Sequence, residues 1–394
     1  MRELIRHIRE YLRESAERKL MIGRMTVSRL TIFGIAAGIL LAGVAGLLYM
    51  MYGKRDTVLN YTRADVDLGF DYRMKQNLLS YRTSDHLYIY DGERDTNTFY
   101  ELHGIDGYDA SQTMTVVYAG QTIQRQGRDE MITLKGYSIL DIRVGTEFAA
   151  ILFQSPNGMH HILILDRNLK EVNTLTFPER NPRVVAFDFL NTGSTELLWV
   201  STMNAKQFSE ESIVRIYDCR NGGAMIHFST AFYNQSIYDA YLSDRCLFLV
   251  GTQAIIRYDR DESGGFSAER DRVRVYGSTI VDFMPGTESA YFIALPDAAQ
   301  DEENSLVRLI TISQTDDLWS TVMQKYLPAP VVGAFVHHQS ICIFTKENFL
   351  QFSFAGKKLN DVEQPHIPSA VYEFGDTGFI VMSGDGCWRV TVTE

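Results

Sequence analysis

Two patterns of hydrophobic positions divide the chain. Residues 30–52 read LTIFGIAAGILLAGVAGLLYMMY, twenty-three residues without a charge. At about 1.5 Å of rise per residue, a helix of that length crosses the roughly 30 Å hydrocarbon core of a bilayer. Beyond residue 60 the pattern changes to short runs rich in Val, Ile, Phe and Tyr, separated by Gly, Asp and Asn turns. That alternation predicts antiparallel strands and no long helix.

The strand-like runs recur in units of about 40–50 residues, which calls for a repeat architecture. Each unit opens on a strand such as ILDIRV (139–144), IYDAYL (237–242) or IVDFM (280–284). A second, more apolar strand follows, for example FAAILFQ or CLFLVG. A short turn leads to a third strand ending in Asp: LYIYD (87–91), ILILD (162–166), VRIYD (214–218) and IIRYD (255–259). A polar turn and a fourth strand complete the unit. Four antiparallel strands repeated around a circle make an all-β propeller. Eight candidate units begin near residues 66, 105, 138, 183, 236, 278, 329 and 369. Seven blades is the alternative, because IDGYDAS is a poor opening strand for the second unit. The last unit has three strands only, and TVLNYTRAD (57–65) is the expected fourth, closing the ring without a free edge. The expected organisation is a tail (1–29), a transmembrane helix (30–52), a short juxtamembrane segment with the closing strand (53–64) and the propeller (65–394).

The strand, Asp, turn, Gly pattern of IYDCRNGG and RYDRDESGG resembles degenerate PQQ-like and WD40-like propeller repeats over roughly residues 60–394. The Trp that usually follows the Gly in PQQ-like repeats is absent, as are GH…WD pairs. The layout of basic tail, single span and outer propeller resembles uncharacterised membrane-anchored proteins of Firmicutes. Neither resemblance transfers a catalytic residue or a cofactor.

Charge sets the expected topology. Residues 1–29 carry eight Lys/Arg against four Glu, while Lys54 and Arg55 follow the span. The positive-inside rule keeps the N-terminus in the cytoplasm and puts the propeller outside the cell membrane. The apolar run exceeds a secretory h-region and lacks a small-x-small cleavage site, so it reads as an uncleaved signal anchor. In the tail, Leu4, Ile8, Tyr11, Leu12 and Ala16 share one helical face. The tail then either rests on anionic lipid or serves topology alone. Within the span Gly34, Gly38, Ala42 and Gly46 recur every four residues, a small-residue strip on which a second transmembrane helix can pack closely. Homodimer and hetero-partner both fit that strip.

Residues 56–394 hold 28 Lys/Arg and 45 Asp/Glu, a net charge of −17, which excludes a nucleic-acid partner. Cys219, Cys246, Cys342 and Cys387 have neither metal spacing nor a CxxC pair and read as buried free thiols, with a disulfide outside the cell as the alternative.

The candidate chemistry lies in the opening strands, which line a propeller's channel. Asp141, Asp188, Asp239, Asp282 and Glu373 stand at one register, with Gly333 at the sixth position. A ring of inward carboxylates raises pKa values and attracts a cation or a basic peptide. The plainer reading has each acid capping a turn or bonding a neighbouring blade's backbone. Asp259–Gly265 resembles the start of a calcium loop, but Arg270 stands where its last ligand belongs, so a hairpin is expected. In the His160-His161 and His337-His338 pairs neighbours should point to opposite strand faces, so that neither pair binds one metal, and surface or edge positions are expected. No metal site, cofactor site or catalytic motif is expected: there is no G-x-S-x-G, HExxH or P-loop. The turns at 155–161, 201–212 and 295–304 are longer than the others and share one face, where binding surfaces tend to form. The leading expectation is a non-enzymatic, membrane-anchored interaction or scaffold module of the cell envelope, meeting a protein partner through one propeller face. The alternative is an extracellular ligand or glycan sensor, or a hydrolase, using the channel acids.

Overall fold

The computed structural model describes residues 19–22, 25–28 and 58–393, apart from short stretches, the longest being 192–195, 221–224 and 298–304. The span at 30–52, its strip of Gly34, Gly38, Ala42 and Gly46, and the tail's helical face all lie outside the described residues. Among the described residues no helix is long and apolar enough to cross a membrane. In the tail, Lys19–Ile22 pairs antiparallel with Met25–Ser28.

Residues from Leu59 to Val392 form one compact unit of eight four-stranded antiparallel sheets. Seven follow chain order and begin at Phe70, Gly107, Ser138, Arg183, Ile237, Ser278 and Val331. The eighth joins Pro368–Glu373, Phe379–Ser383 and Gly386–Thr393 to Val58–Arg63, which precedes all the others in sequence. We number these blades 1 to 8 and their strands A to D from the channel outward.

Burial explains why the strands differ in composition. Strands B and C lie between neighbouring sheets and are apolar on both faces, as in Phe148–Gln154, where every residue but Gln154 is buried. Strand A alternates, as in Ser138–Val144, where Ile139, Ile142 and Val144 are buried and the residues between them are not, because one face meets the core and the other the channel. Eight buried apolar clusters fill the gaps between consecutive sheets. One of them joins blade 8 to blade 1 through Phe374, Ile380 and Met382 against Leu79, Tyr81 and Tyr90, so the ring is closed. Gly92 permits that closure, since a Cβ there would lie 1.9 Å from the Phe374 ring.

The closing strand is held in register by the Ala64 amide on the Cys387 carbonyl (3.0 Å) and by Thr62 on the Arg389 carbonyl (3.5 Å). Its Leu59 and Tyr61 pack beside Trp388 on the core between blades 7 and 8. The recurrent Asp ending strand C is an Asx turn in three blades. Asp91 takes the amides of Glu93 and Arg94, Asp166 those of Asn168 and Lys170, and Asp218 that of Arg220. Asp259 differs, being paired with Arg257 and Arg270, and the turn after it closes as a hairpin on Asp261 and Gly265. The four cysteines are buried and form no disulfide among the described residues.

Two expectations are corrected. Residues 201–212 are not a loop: strands B and C of blade 4 continue to Lys206 and from Ser209, an extended hairpin. His160 and His337 are buried, not at the surface. His338 has φ of 52° at a turn, which swings its ring to 4.3 Å from that of His337 rather than to the opposite face.

Candidate functional site

The channel wall is built from the A strands, and a bulge shapes most of them. Pairing with strand B slips by one residue at Leu140, Val185, Tyr238, Val281, Val332 and Ser369 in blades 3 to 8. Asp141, Asp239 and Asp282 directly follow their bulges. Asp188 lies two residues beyond the equivalent Ala186, and Glu373 three beyond Ala370. The five acids are therefore staggered along the channel and do not share one register. Carboxylates on these strands accept the amide of the residue that follows: Ile142 donates to Asp141, Phe189 to Asp188 and Ala240 to Asp239, at 2.7–2.8 Å.

Around blades 1 to 4 the protein supplies its own cations. Lys75 of blade 1 reaches Asp109 of blade 2 (3.2 Å) and crosses to Asp188 of blade 4 (3.0 Å). Arg143 pairs with Asp141 at 2.8 Å. Asp109 is 5 % exposed and also accepts the Val144 amide of blade 3 at 2.6 Å. Burial pushes the Asp109 carboxyl above its ordinary range, opposed by Lys75, while the two carboxylates raise Lys75 against its own desolvation.

Around blades 5 to 8 the acids meet hydrogen-bond donors instead. Asp239 accepts the Tyr241 hydroxyl (2.6 Å), Asp282 the Val336 amide of blade 7 (2.7 Å), and Glu373 faces His337 Nδ1 (2.9 Å). Burial raises the Asp239 carboxyl. Asp282 is pushed up to about 7 by burial and by the nearby Glu373. All five acids are thus engaged, chiefly by backbone, Tyr, His, Lys or Arg. Among the described residues no three His, Cys, Asp or Glu are arranged to hold a metal.

A Ser, His and Asp do meet in blade 8, yet not as a nucleophilic triad. His366 bonds Asp385 (2.9 Å) and stacks on Trp388 (3.7 Å), while Ser383 bonds the carboxylate and not the imidazole.

The face carrying the B–C turns offers a different surface. The bulge residues Leu140, Val185 and Val281 are exposed around the channel mouth. Farther out, at the ends of D strands and the starts of A strands, Tyr137, Tyr233, Tyr276, Tyr326 and Ile367 are exposed too, the last two at 70 %. Apolar side chains thus form a collar on the face expected to carry binding loops. Sequence reading passed over this collar, and over Lys75, Arg143 and Asp109. The signal for the bulges was present: IL, VV, IY and IV before the acids or Ala186 place two apolar residues in succession, where a channel-lining strand should alternate.

No family model and no curated protein matches the chain. Solved structures match its fold. The WD40 domain of SCAP from fission yeast superposes with a TM-score of 0.53 and 9 % identity, covering 85 % of this chain and 98 % of that one. The Dos1 propeller gives 0.51 and 9 %, covering 80 % and 88 %. The chain is an eight-bladed, WD40-like β-propeller in fold.

Proposed function

We propose that this protein is a membrane-anchored interaction module of the cell envelope, with a propeller outside the membrane that binds a protein partner through its B–C face. The apolar collar of Leu140, Val185, Val281 and the flanking tyrosines carries this reading. Exposed apolar side chains gathered on one face mark interaction sites, and Tyr is enriched where partners bury surface. Anchoring and orientation rest on the uncharged run at 30–52 and the basic excess before it. The strip of Gly34, Gly38, Ala42 and Gly46 is suited to lateral pairing of that helix. The engagement of the channel carboxylates with Lys75, Arg143, Tyr241 and His337 favours binding over glycoside hydrolysis, which needs an acid and a base facing a substrate.

The test is a Val185→Glu, Val281→Glu double variant of the full chain, co-purified from native membranes after crosslinking. Both side chains are exposed, so the melting temperature should stay within a few degrees of wild type, while partner recovery falls about tenfold or more. Undiminished recovery would count against the B–C face.

A further inference from the structure

Blade 2 is stunted. Its C and D strands have 4 and 3 residues, against 7 and 5 in blade 3. They leave uncovered the outer part of the blade 1 face, where Thr96, Thr98 and Tyr100 follow one another on one side of strand D. The result is a groove of about 640 Å³ between the two blades, opening on the face opposite the B–C turns. That volume falls within the range of ligand clefts, about 300–1,000 Å³.

The chemistry of the groove departs from that of the domain. Arg94, Arg125 and Arg128 line it, in a propeller with 45 acidic residues against 28 basic. Its two carboxylates are already satisfied: Asp91 holds the amides of Glu93 and Arg94, and Glu93 takes the side-chain amide of Asn77. The Arg94 side chain is 81 % exposed and 3.6 Å from Asp91, a contact that competes weakly with an incoming anion. Arg125 is fixed by the carbonyls of Thr113 and Arg167, so its charge stays in place at the groove. Buried Leu78, Ile89 and Met114 also line the groove and give it an apolar floor.

We propose that this groove binds an acidic peptide segment in extended form. Its backbone would run along strand D of blade 1, with hydroxyls at every second residue of the wall. Its carboxylates would meet the arginines, and one apolar side chain would reach the floor. The site is separate from the B–C face and does not depend on it.

The test is selection of a random dodecapeptide phage library on the purified full chain, followed by fluorescence anisotropy of the enriched peptides. The expected peptides carry an excess of Asp and Glu. Each should lose about tenfold in affinity for Arg94→Glu, Arg128→Glu, which reverses the charge, and for Thr98→Trp, which fills the groove. Binding to Val185→Glu, Val281→Glu should be unchanged, which separates this site from the B–C face. All these substitutions are at exposed side chains, and matching melting temperatures exclude misfolding as the cause. Failure to enrich any peptide, peptides without acidic excess, or undiminished binding to both groove variants would overturn the proposal.

Discussion

At the scale of single residues, the channel is a wall of partly desolvated charges whose states are set by burial and by neighbours. Asp282 shows this most directly. Its carboxyl is pushed from 3.8 to about 7, with burial the larger cause and Glu373 the next. A raised carboxyl pKa means the folded protein holds the proton more tightly than the unfolded chain. That contribution to stability is complete below pH about 3.8 and is lost as pH rises through about 7. Asn mimics the protonated acid, so the stability advantage of Asp282→Asn over wild type should grow from pH 4 to pH 8 by about 2–4 kcal/mol. Urea midpoints at several pH values measure it, and a difference that stays flat with pH would contradict the assignment. Such environments were only half legible in the sequence. Acids in the opening strands were visible, but Lys75 reaches Asp188 across 113 residues, a contact that strand periodicity cannot encode.

At the scale of elements, the blades are tied together by groups from one that satisfy the backbone of the next. Glu196, in strand B of blade 4, is buried and accepts the amides of Thr146, Glu147 (2.9 Å) and Phe148 (3.1 Å) at the A–B turn of blade 3. Gly145 leaves room for it, since a Cβ there would lie 2.1 Å from its Oε1. Replacing Glu196 with Ala leaves three amides of that turn without their acceptor and should lower unfolding free energy by about 3 kcal/mol, read by chemical denaturation. A loss under about 1 kcal/mol would show that water or the turn itself compensates. The strand pattern and the Asp-ended turns were legible because each rests on a local rule, alternation in one case and an Asx hydrogen bond in the other. The hairpin at 201–212 was not, and of the bulges only the paired apolar residues before the acids were legible. Both depend on how far a strand finds a partner, and polar residues such as Asn204, Lys206, Ser209 and Glu211 continue a ladder once a neighbouring strand lies alongside.

At the scale of the molecule, the ring is closed by a strand from the other end of the chain. The three-stranded final unit and the segment TVLNYTRAD (57–65) point to that closure in the sequence. A Leu59→Asp, Tyr61→Asp variant puts charges against the core between blades 7 and 8 and opens the edge of Gly386–Thr393. It should lower the melting temperature by about 10 °C or more and drive self-association in size-exclusion chromatography with light scattering. A monomer of wild-type stability would show that three strands suffice. What the ring presents to a partner is decided by the same architecture: the A-strand bulges fall at Leu140, Val185 and Val281, whose side chains are exposed on the B–C face. The most direct measurement places a photo-crosslinking amino acid at Val281, at Val185 and, on the outer rim, at Val322, each in the full chain in its native membrane. Discrete adducts of one partner from Val281 and Val185, with none from Val322, are the predicted result. Equal labelling from the rim, or no adduct from the collar, would contradict the account.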